Sequence, residues 1–322
     1  MLPLEPFLLE RIILPKVWGG RALAKVLGIA LPPDVDVGET WELYDRREGS
    51  SRLRGRTTTI ADLMSSHAEA LVGKGVRLAH GGRFPLLIKF LDARDQLSLQ
   101  VHPDDAQAAS DDDGGKNECS VVLAAGPRAR ITRGFRPGVT REQFVAKANT
   151  PEVAELLCTF RPEVGDTIHF PPGTVHAIGP DVVVFEVQQN SDLTYRIHDF
   201  GRGRQLHLDK AFAVAKVDAV PSERPVVTPV SIAEGGTQLL ATPDFRVRRL
   251  SLRQRHEVRP DGRFVTATIV AGSGTLSWPG ERANGTIAMV TGDTALVPAC
   301  CAKFTLIPNE HLNVILCDPG VR

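Results

Sequence analysis

Cysteine is scarce in this 322-residue chain, and what there is does not pair up. Cys119, Cys158, Cys300, Cys301 and Cys317 are odd in number and contain no Cys-x-x-Cys, which argues against a disulfide framework and against a thiolate zinc site. A reducing, cytoplasmic setting fits. Long apolar runs are missing too: none approaches the roughly 20 residues that cross a bilayer, so a soluble protein with no membrane partner is expected. The N-terminal MLPLEPFLLERIILPK carries Glu5 and Glu10 and lacks a basic start and a small-residue cleavage site, so it reads as part of the fold. Nor is there an excess of either charge. Lys plus Arg and Asp plus Glu each number 38, so no global field exists to hold a nucleic acid. Any phosphate must be bound locally.

What the chain has in quantity is turn residues. Gly (29) and Pro (23) separate short runs rich in Val, Ile, Leu and Thr, the pattern of an all-β protein with helical insertions. Apolar spacing of three and four predicts helices in TIADLMSSHAEALVGKG from Thr59 and in TREQFVAKANTPEVAELLCTF from Thr140. Thr140 and Gln143 form a capping-box pattern. The length suits two domains, and the three prolines of VDAVPSERPVVTP mark a linker. We place a metal-binding domain at 1–217, the linker at 218–229 and a second domain at 230–322.

A weak repeat supports that division. GDTIHFPPGTVHA from Gly165 and GDTALVPACCAKF from Gly292 share Gly-Asp-Thr and a proline at the same offset, Pro171 and Pro298. In the second copy Cys300 stands at the place of Gly173 and Lys303 at the place of His176. Duplication of a β-barrel, with the second copy stripped of its metal ligand, accounts for this.

The first copy resembles the second motif of the cupin superfamily, small jelly-roll barrels that hold a metal. Two such barrels are the expected architecture. In this motif His176 points inward as a neutral imidazole ligand. Upstream, SLQVHPDD from Ser98 places Gln100 and His102 two residues apart, on one side of a strand, with Leu99 and Val101 facing the packing between sheets. Sixteen residues beyond His102, Glu118 of GKNE can return on a neighbouring strand after the acidic loop Asp111 to Asp113. Two imidazoles, a carboxylate and an amide oxygen suit one zinc ion, with iron, manganese or cobalt as substitutes. His169, His198 and His207 keep the ordinary expectation for a histidine, a packed, hydrogen-bonded residue.

Further on, DVVVFEVQQNSDLTYRIHDFGR carries Glu186, Asp192, Arg196, Asp199 and Arg202, with Val184, Glu186 and Gln188 on one face of a strand. A buried Glu needs a partner or a task. Glu186 either forms a structural ion pair with Arg196 or takes part in catalysis, and the residues alone leave both open.

The blocks VWGG, GETWEL, FPLLIKFLDARDQLSLQVHPDD, GKNE, GFRPGVTREQF and PPGTVHAIGPDVVVFEVQQNSDLTYRIHDFGR, in that order, resemble type I mannose-6-phosphate isomerase in its short bacterial form. The resemblance implies a zinc enzyme interconverting mannose 6-phosphate and fructose 6-phosphate through a cis-enediolate, with Gln100, His102, Glu118 and His176 as metal ligands. It places the catalytic arginine at Arg196 and puts Lys89, Lys116 and Glu186 on the pocket wall. On that basis Arg196 adds positive charge over the enediolate or the phosphate, Lys116 or Glu186 moves the proton, and Lys89, Arg196 and Arg202 grip the phosphate. Two departures, CSVVL after Glu118 and Asn117 where the family commonly has Thr, bear on the shape of the pocket. Two other readings compete: a non-catalytic sugar-phosphate-binding cupin, and a cupin oxygenase. The second usually presents His-x-His, and Gln100 takes the first of those places here.

Overall fold

The computed structural model describes residues 4–218, 224–233, 235–280 and 284–320. Strands dominate and helices are few. The first half is built on two antiparallel sheets. One has six strands in the order Thr167–Phe170, Glu118–Ala125, Val182–Gln189, Leu86–Ala93, Val37–Leu43 and Ile12–Gly20. The other has five, in the order Leu157–Phe160, Ile131–Phe135, His176–Ile178, Leu99–Val101 and Tyr195–His198.

Strand alternation sends each sheet's side chains to two environments. Leu91, Val122, Val182 and Val184 of the larger sheet meet Ile131 and Ile178 of the smaller one, so the sheets face each other. The opposite face of the larger sheet, with Ile88, Phe90, Cys119, Val121, Phe185 and Val187, packs against residues of both halves of the chain, Phe245, Phe264 and Cys317 among them. Leu99 and Val101 join Phe144, Ala211 and Val214, so they pack on the helices Arg141–Lys147 and Leu208–Val214 and not between the sheets. The expectation for those two residues was inverted: the ligand-bearing face is the one that looks inward.

Both predicted helices form. Ile60–Val72 is capped by Thr59, whose side chain accepts from the Asp62 N–H, and the box between Thr140 and Gln143 is made. The second helix is shorter than its apolar spacing predicts. It ends at Lys147, a 3-10 segment Pro151–Leu156 follows, and the chain then enters the strand Leu157–Phe160. Pro151 disfavours helical backbone at the residue before it, and Thr150 is extended at φ −123°, ψ 158°.

The second half forms one nine-stranded sheet, in which Thr294–Val297, Val265–Trp278, Phe304–Pro319 and Phe245–Leu252 are neighbours. That run has the same order as Thr167–Phe170, Glu118–Ala125, Val182–Gln189 and Leu86–Ala93. The two Gly-Asp-Thr turns also match in detail. Gly165 and Gly292 both take positive φ, 94° and 92°. Gly165 N–H donates to Val122 O and Gly292 N–H to Ile269 O, each at 2.8 Å, while Asp166 and Asp293 accept from the N–H three residues back. The repeat seen in sequence is a repeat of turn and sheet order.

The halves are not independent. Phe7–Leu8 pairs with Thr294–Val297, so the N-terminal segment completes the second half's sheet. Part of the proline-rich stretch, residues 219–223, lies outside the described residues. Phe84 and Phe264, from opposite halves, pack with ring centroids 4.6 Å apart and planes tilted by 51°, and both are fully buried. Phe264→Ala is expected to destabilise the protein by about 3–5 kcal/mol, read from urea unfolding.

Candidate metal centre and active-site cavity

Register does most of the assembly. His176 and Arg196 both lie directly opposite Gln100, from the strands on its two sides, so three side chains form a row across the smaller sheet. His102 follows just past the same strand. On the larger sheet Glu186 lies opposite Lys89 on one side and Ser120 on the other, with Trp41 opposite Lys89, and Glu118 stands two residues before Ser120. Glu118 therefore reaches the histidines from the facing sheet, not from a neighbouring strand as expected. The centre is clamped between two layers.

His102, Glu118 and His176 are buried, and one ligand atom from each lies within 4.8 Å of the others. Among the described residues this is the one such cluster of His, Cys and acidic groups. Glu118 Oε2 is 3.1 Å from His102 Nε2 and 3.3 Å from His176 Nε2. The tautomers follow from the other ring nitrogens. His102 Nδ1 meets Leu193 O at 2.7 Å and His176 Nδ1 meets Thr174 O at 2.9 Å. A carbonyl only accepts, so both Nδ1 atoms carry hydrogen and each ring turns its Nε2 toward the centre. Burial depresses the His102 pKa to about 3, which keeps that ring neutral. Burial alone would raise the Glu118 carboxyl, but the groups around it, the Lys116 ammonium among them, outweigh it and hold it well below the usual range. The Gln100 amide sits 3.3 Å from His176 Nε2 and 3.5 Å from His102 Nε2, and a half-turn of the amide presents its oxygen instead. Two imidazoles, a carboxylate and an amide are a donor set that fits a divalent ion.

The centre opens into a cavity of about 240 Å³, lined by Trp18, Leu97 and Ile178 on one side and by charged groups elsewhere. Lys116 Nζ is 3.0 Å from Glu118 Oε1 and 3.5 Å from His102 Nε2. Glu186 does not pair with Arg196. Its Oε1 meets Lys89 Nζ at 3.1 Å and its Oε2 accepts from Ser120 Oγ at 2.8 Å, because these are its cross-strand neighbours. Burial raises the Glu186 pKa, and the Lys89 charge only partly offsets this. Burial works against the Lys89 ammonium, yet Glu39 and Glu186 prevail and raise its pKa.

Glu39, the acid of GETWEL, was given no role on sequence grounds. It lines the cavity, accepts from Trp41 Nε1 at 2.7 Å and lies 3.6 Å from Lys16 Nζ. The signal available was a carboxylate among apolar strand residues, the same one that drew attention to Glu186. Arg196 lines the cavity, donates to Gln205 O at 2.6 Å and pairs with no carboxylate among the described residues. Arg202 does not line it. Its guanidinium is engaged by Asp199 at 3.2 Å and Gln96 O at 2.7 Å, and Arg204 lines the cavity instead. His169 and His207 are hydrogen-bonded packing residues, to Asn117 Oδ1 at 2.7 Å and to the Arg196 N–H at 3.2 Å. His198 stacks edge-on against Phe200.

Comparison with known proteins agrees with this geometry. The family model described as phosphomannose isomerase type I, catalytic domain, matches residues 7–162. Over 314 residues the chain is 33% identical to mannose-6-phosphate isomerase ManA of Bacillus subtilis (strain 168), covering 94% of this chain and 96% of the relative. The chain belongs to the type I phosphomannose isomerases. With membership comes the class of activity, that of an isomerase acting on a sugar phosphate. The crystal structure of mannose 6-phosphate isomerase from Bacillus subtilis superposes with a TM-score of 0.85 at 28% identity, covering 98% of this chain and 99% of that one. A mannose 6-phosphate isomerase bound with zinc and yttrium shares the fold at a TM-score of 0.80 and 17% identity, over 99% of this chain and 100% of that one. No helix among the described residues is long and apolar enough to cross a membrane.

Proposed function

We propose that this phosphomannose isomerase interconverts mannose 6-phosphate and fructose 6-phosphate in the cytoplasm. The observation that carries the reading is the convergence of His102, Glu118 and His176, with Gln100 beside them, at the head of a charged cavity. We take the bound ion to be a single zinc, held by those four residues, as the zinc-bound structural neighbour supports. When bound, zinc would supply Lewis acidity toward the sugar's carbonyl and hydroxyl oxygens. The two halves, with their matching turns and sheet order, are proposed to be cupin-like jelly rolls, the metal-binding one spanning 1–217 and the one without metal ligands 230–322. Lys303, at the place of His176, is instead paired with Glu257 at 2.9 Å.

The chain's own residues supply the rest. Aldose–ketose exchange takes a proton from the carbon beside a carbonyl and returns it to the next, through a cis-enediolate. Glu186 is the base in our reading, because it is a carboxylate on the cavity wall whose pKa burial raises against a partial offset from the Lys89 charge. Lys116 donates to the oxygen on which charge develops, from its place beside Glu118. Arg196, a cation with no carboxylate partner, meets the enediolate or the phosphate. Arg204 and Lys16, held by Asp199 and Glu39, lie on the cavity wall, which places them better for phosphate than Arg202, off the wall, or the buried Lys89. Glu39 pairs with Lys16 at 3.6 Å and adds its charge to that of Glu186 around Lys89.

A coupled assay for fructose 6-phosphate formed from mannose 6-phosphate tests the reading, and a protein inert toward both sugars would refute it. Glu186→Gln keeps the shape and removes the base. Its kcat is expected to fall about 10²–10⁴-fold, and a kcat within threefold of the parent would remove Glu186 from the mechanism.

A further inference from the structure

The residue between Lys116 and Glu118 spends every hydrogen-bonding group it has. Asn117 N–H donates to Gln189 Oε1 at 3.0 Å and its carbonyl accepts from Gln189 N–H at 3.1 Å. Its Nδ2 donates to Asp244 Oδ2 at 2.9 Å, and its Oδ1 accepts from His169 Nε2 at 2.7 Å. The carboxylate only accepts, which fixes the orientation of the amide and gives His169 its hydrogen on Nε2. Burial depresses His169 to about 4, so near pH 7 that ring is neutral, with its one hydrogen on Nε2. Asn117 is buried, and a Thr in its place lacks the reach to bridge both partners.

Asp244 belongs to the other half of the chain. It sits in the turn before the strand Phe245–Leu252, where its N–H donates to Thr242 Oγ1 at 3.2 Å and its carbonyl accepts from Gly320 N–H at 3.1 Å. Only glycine fits at 320, since a Cβ there would come within 2.3 Å of the Pro243 backbone. Arg77 ties the same region together. It pairs with Asp105 at 2.5 Å and lies 3.8 Å from Asp244, while Asp105 Oδ1 accepts from the Gly115 N–H at 2.9 Å. The segment carrying Lys116 and Glu118 is thus held from behind by a residue with no access to the cavity.

We infer that Asp244 is a positioning residue, through which the half of the chain lacking metal ligands sets the place of Glu118 and Lys116 by way of Asn117. This rests on the proposed role of Glu118 as a ligand. Glu118 must meet two imidazoles from a facing sheet, and a carboxylate displaced by a fraction of an ångström binds the ion less well. The second half therefore has a task at the site although it contributes no group to the cavity.

Zinc affinity, measured by chelator competition independently of turnover, tests this on the full-length protein. Asp244→Ala is expected to bind zinc about five- to tenfold more weakly and to lose kcat in similar proportion with KM nearly unchanged. Asp244→Asn keeps an acceptor for Asn117 Nδ2 and should restore both values, although it discards the charge facing Arg77. Asn117→Thr should reproduce the loss by itself, and Asp244→Ala should add nothing in that background. Equal losses in Asp244→Asn and Asp244→Ala, or additive losses in the double variant, would show a general packing role and overturn the inference. A parent protein that binds zinc without isomerising the sugar would refute the proposed function while the zinc measurements still decide the role of Asp244.

Discussion

Chelation of divalent metal is expected to abolish conversion of mannose 6-phosphate to fructose 6-phosphate, and added zinc is expected to restore it. The expected loss is large because the ion's share of charge stabilisation is worth several kcal/mol, on the order of 10³-fold in rate or more. Neither buried lysine of the cavity is a ready substitute, and Arg196 carries a single charge that acts alongside the ion on the proposed mechanism. Lys89 is committed to Glu186 at 3.1 Å and Lys116 to Glu118 at 3.0 Å, so neither cation is free to replace a divalent charge. Without the ion, Glu118 keeps its negative charge close to where the enediolate forms, which opposes the reaction. The measurement is the coupled assay on protein whose metal content is determined before and after chelation. Full activity at less than a few per cent metal occupancy would defeat the metal mechanism. Replacing His102 by Ala should give the same loss together with loss of zinc, since its Nε2 lone pair is one of the two imidazole donors.

The second large effect is expected from Arg196→Ala, a drop in turnover of about 10²–10³-fold with zinc still bound. Arg196 stands opposite Gln100 on the adjacent strand, so its charge is held next to the metal centre without ligating it. Burial and the nearby Arg204 lower its pKa while Asp199 works the other way, and no carboxylate among the described residues forms an ion pair with it. How the loss divides identifies the anion. A fall in kcat with KM constant means contact with the enediolate; a rise in KM with kcat constant means contact with the phosphate. Arg196→Lys keeps the charge but not the planar fork, and should recover only part of either. Turnover near that of the parent in Arg196→Ala would exclude Arg196 from both roles.

Much of the site was legible in the chain itself because its residues sit in or beside short, regular strands. Two residues apart in SLQVHPDD means one face of a strand, and the glycine and prolines before His176 announce a bend that aims a histidine inward. Period-two geometry is local, so it can be read without the fold. The Gly-Asp-Thr repeat was visible for the same reason, since a positive-φ glycine followed by a capping aspartate is complete within four residues. Burial side and partner choice were not local. Leu99 and Val101 alternate with Gln100 and His102, but which face looks into the sandwich depends on where two helices dock.

Pairings across strands were hidden for a related reason. Glu186 takes Lys89, 97 positions away, because antiparallel register brings them opposite each other, while Arg196, only ten residues on, lies in the other sheet. The arrival of Glu118 from the facing sheet, the exclusion of Arg202 from the cavity, the presence of Glu39 and Arg204 on its wall and the reach of Asp244 to Asn117 belong with it. Sequence alone determined the strand-rich class, the histidine and carboxylate types of the buried cluster and the duplicated turn, since each rests on spacing within a few residues. Tertiary structure alone decided which charges meet, because contacts between distant segments depend on sheet register and layer packing, and neither is written in any local pattern.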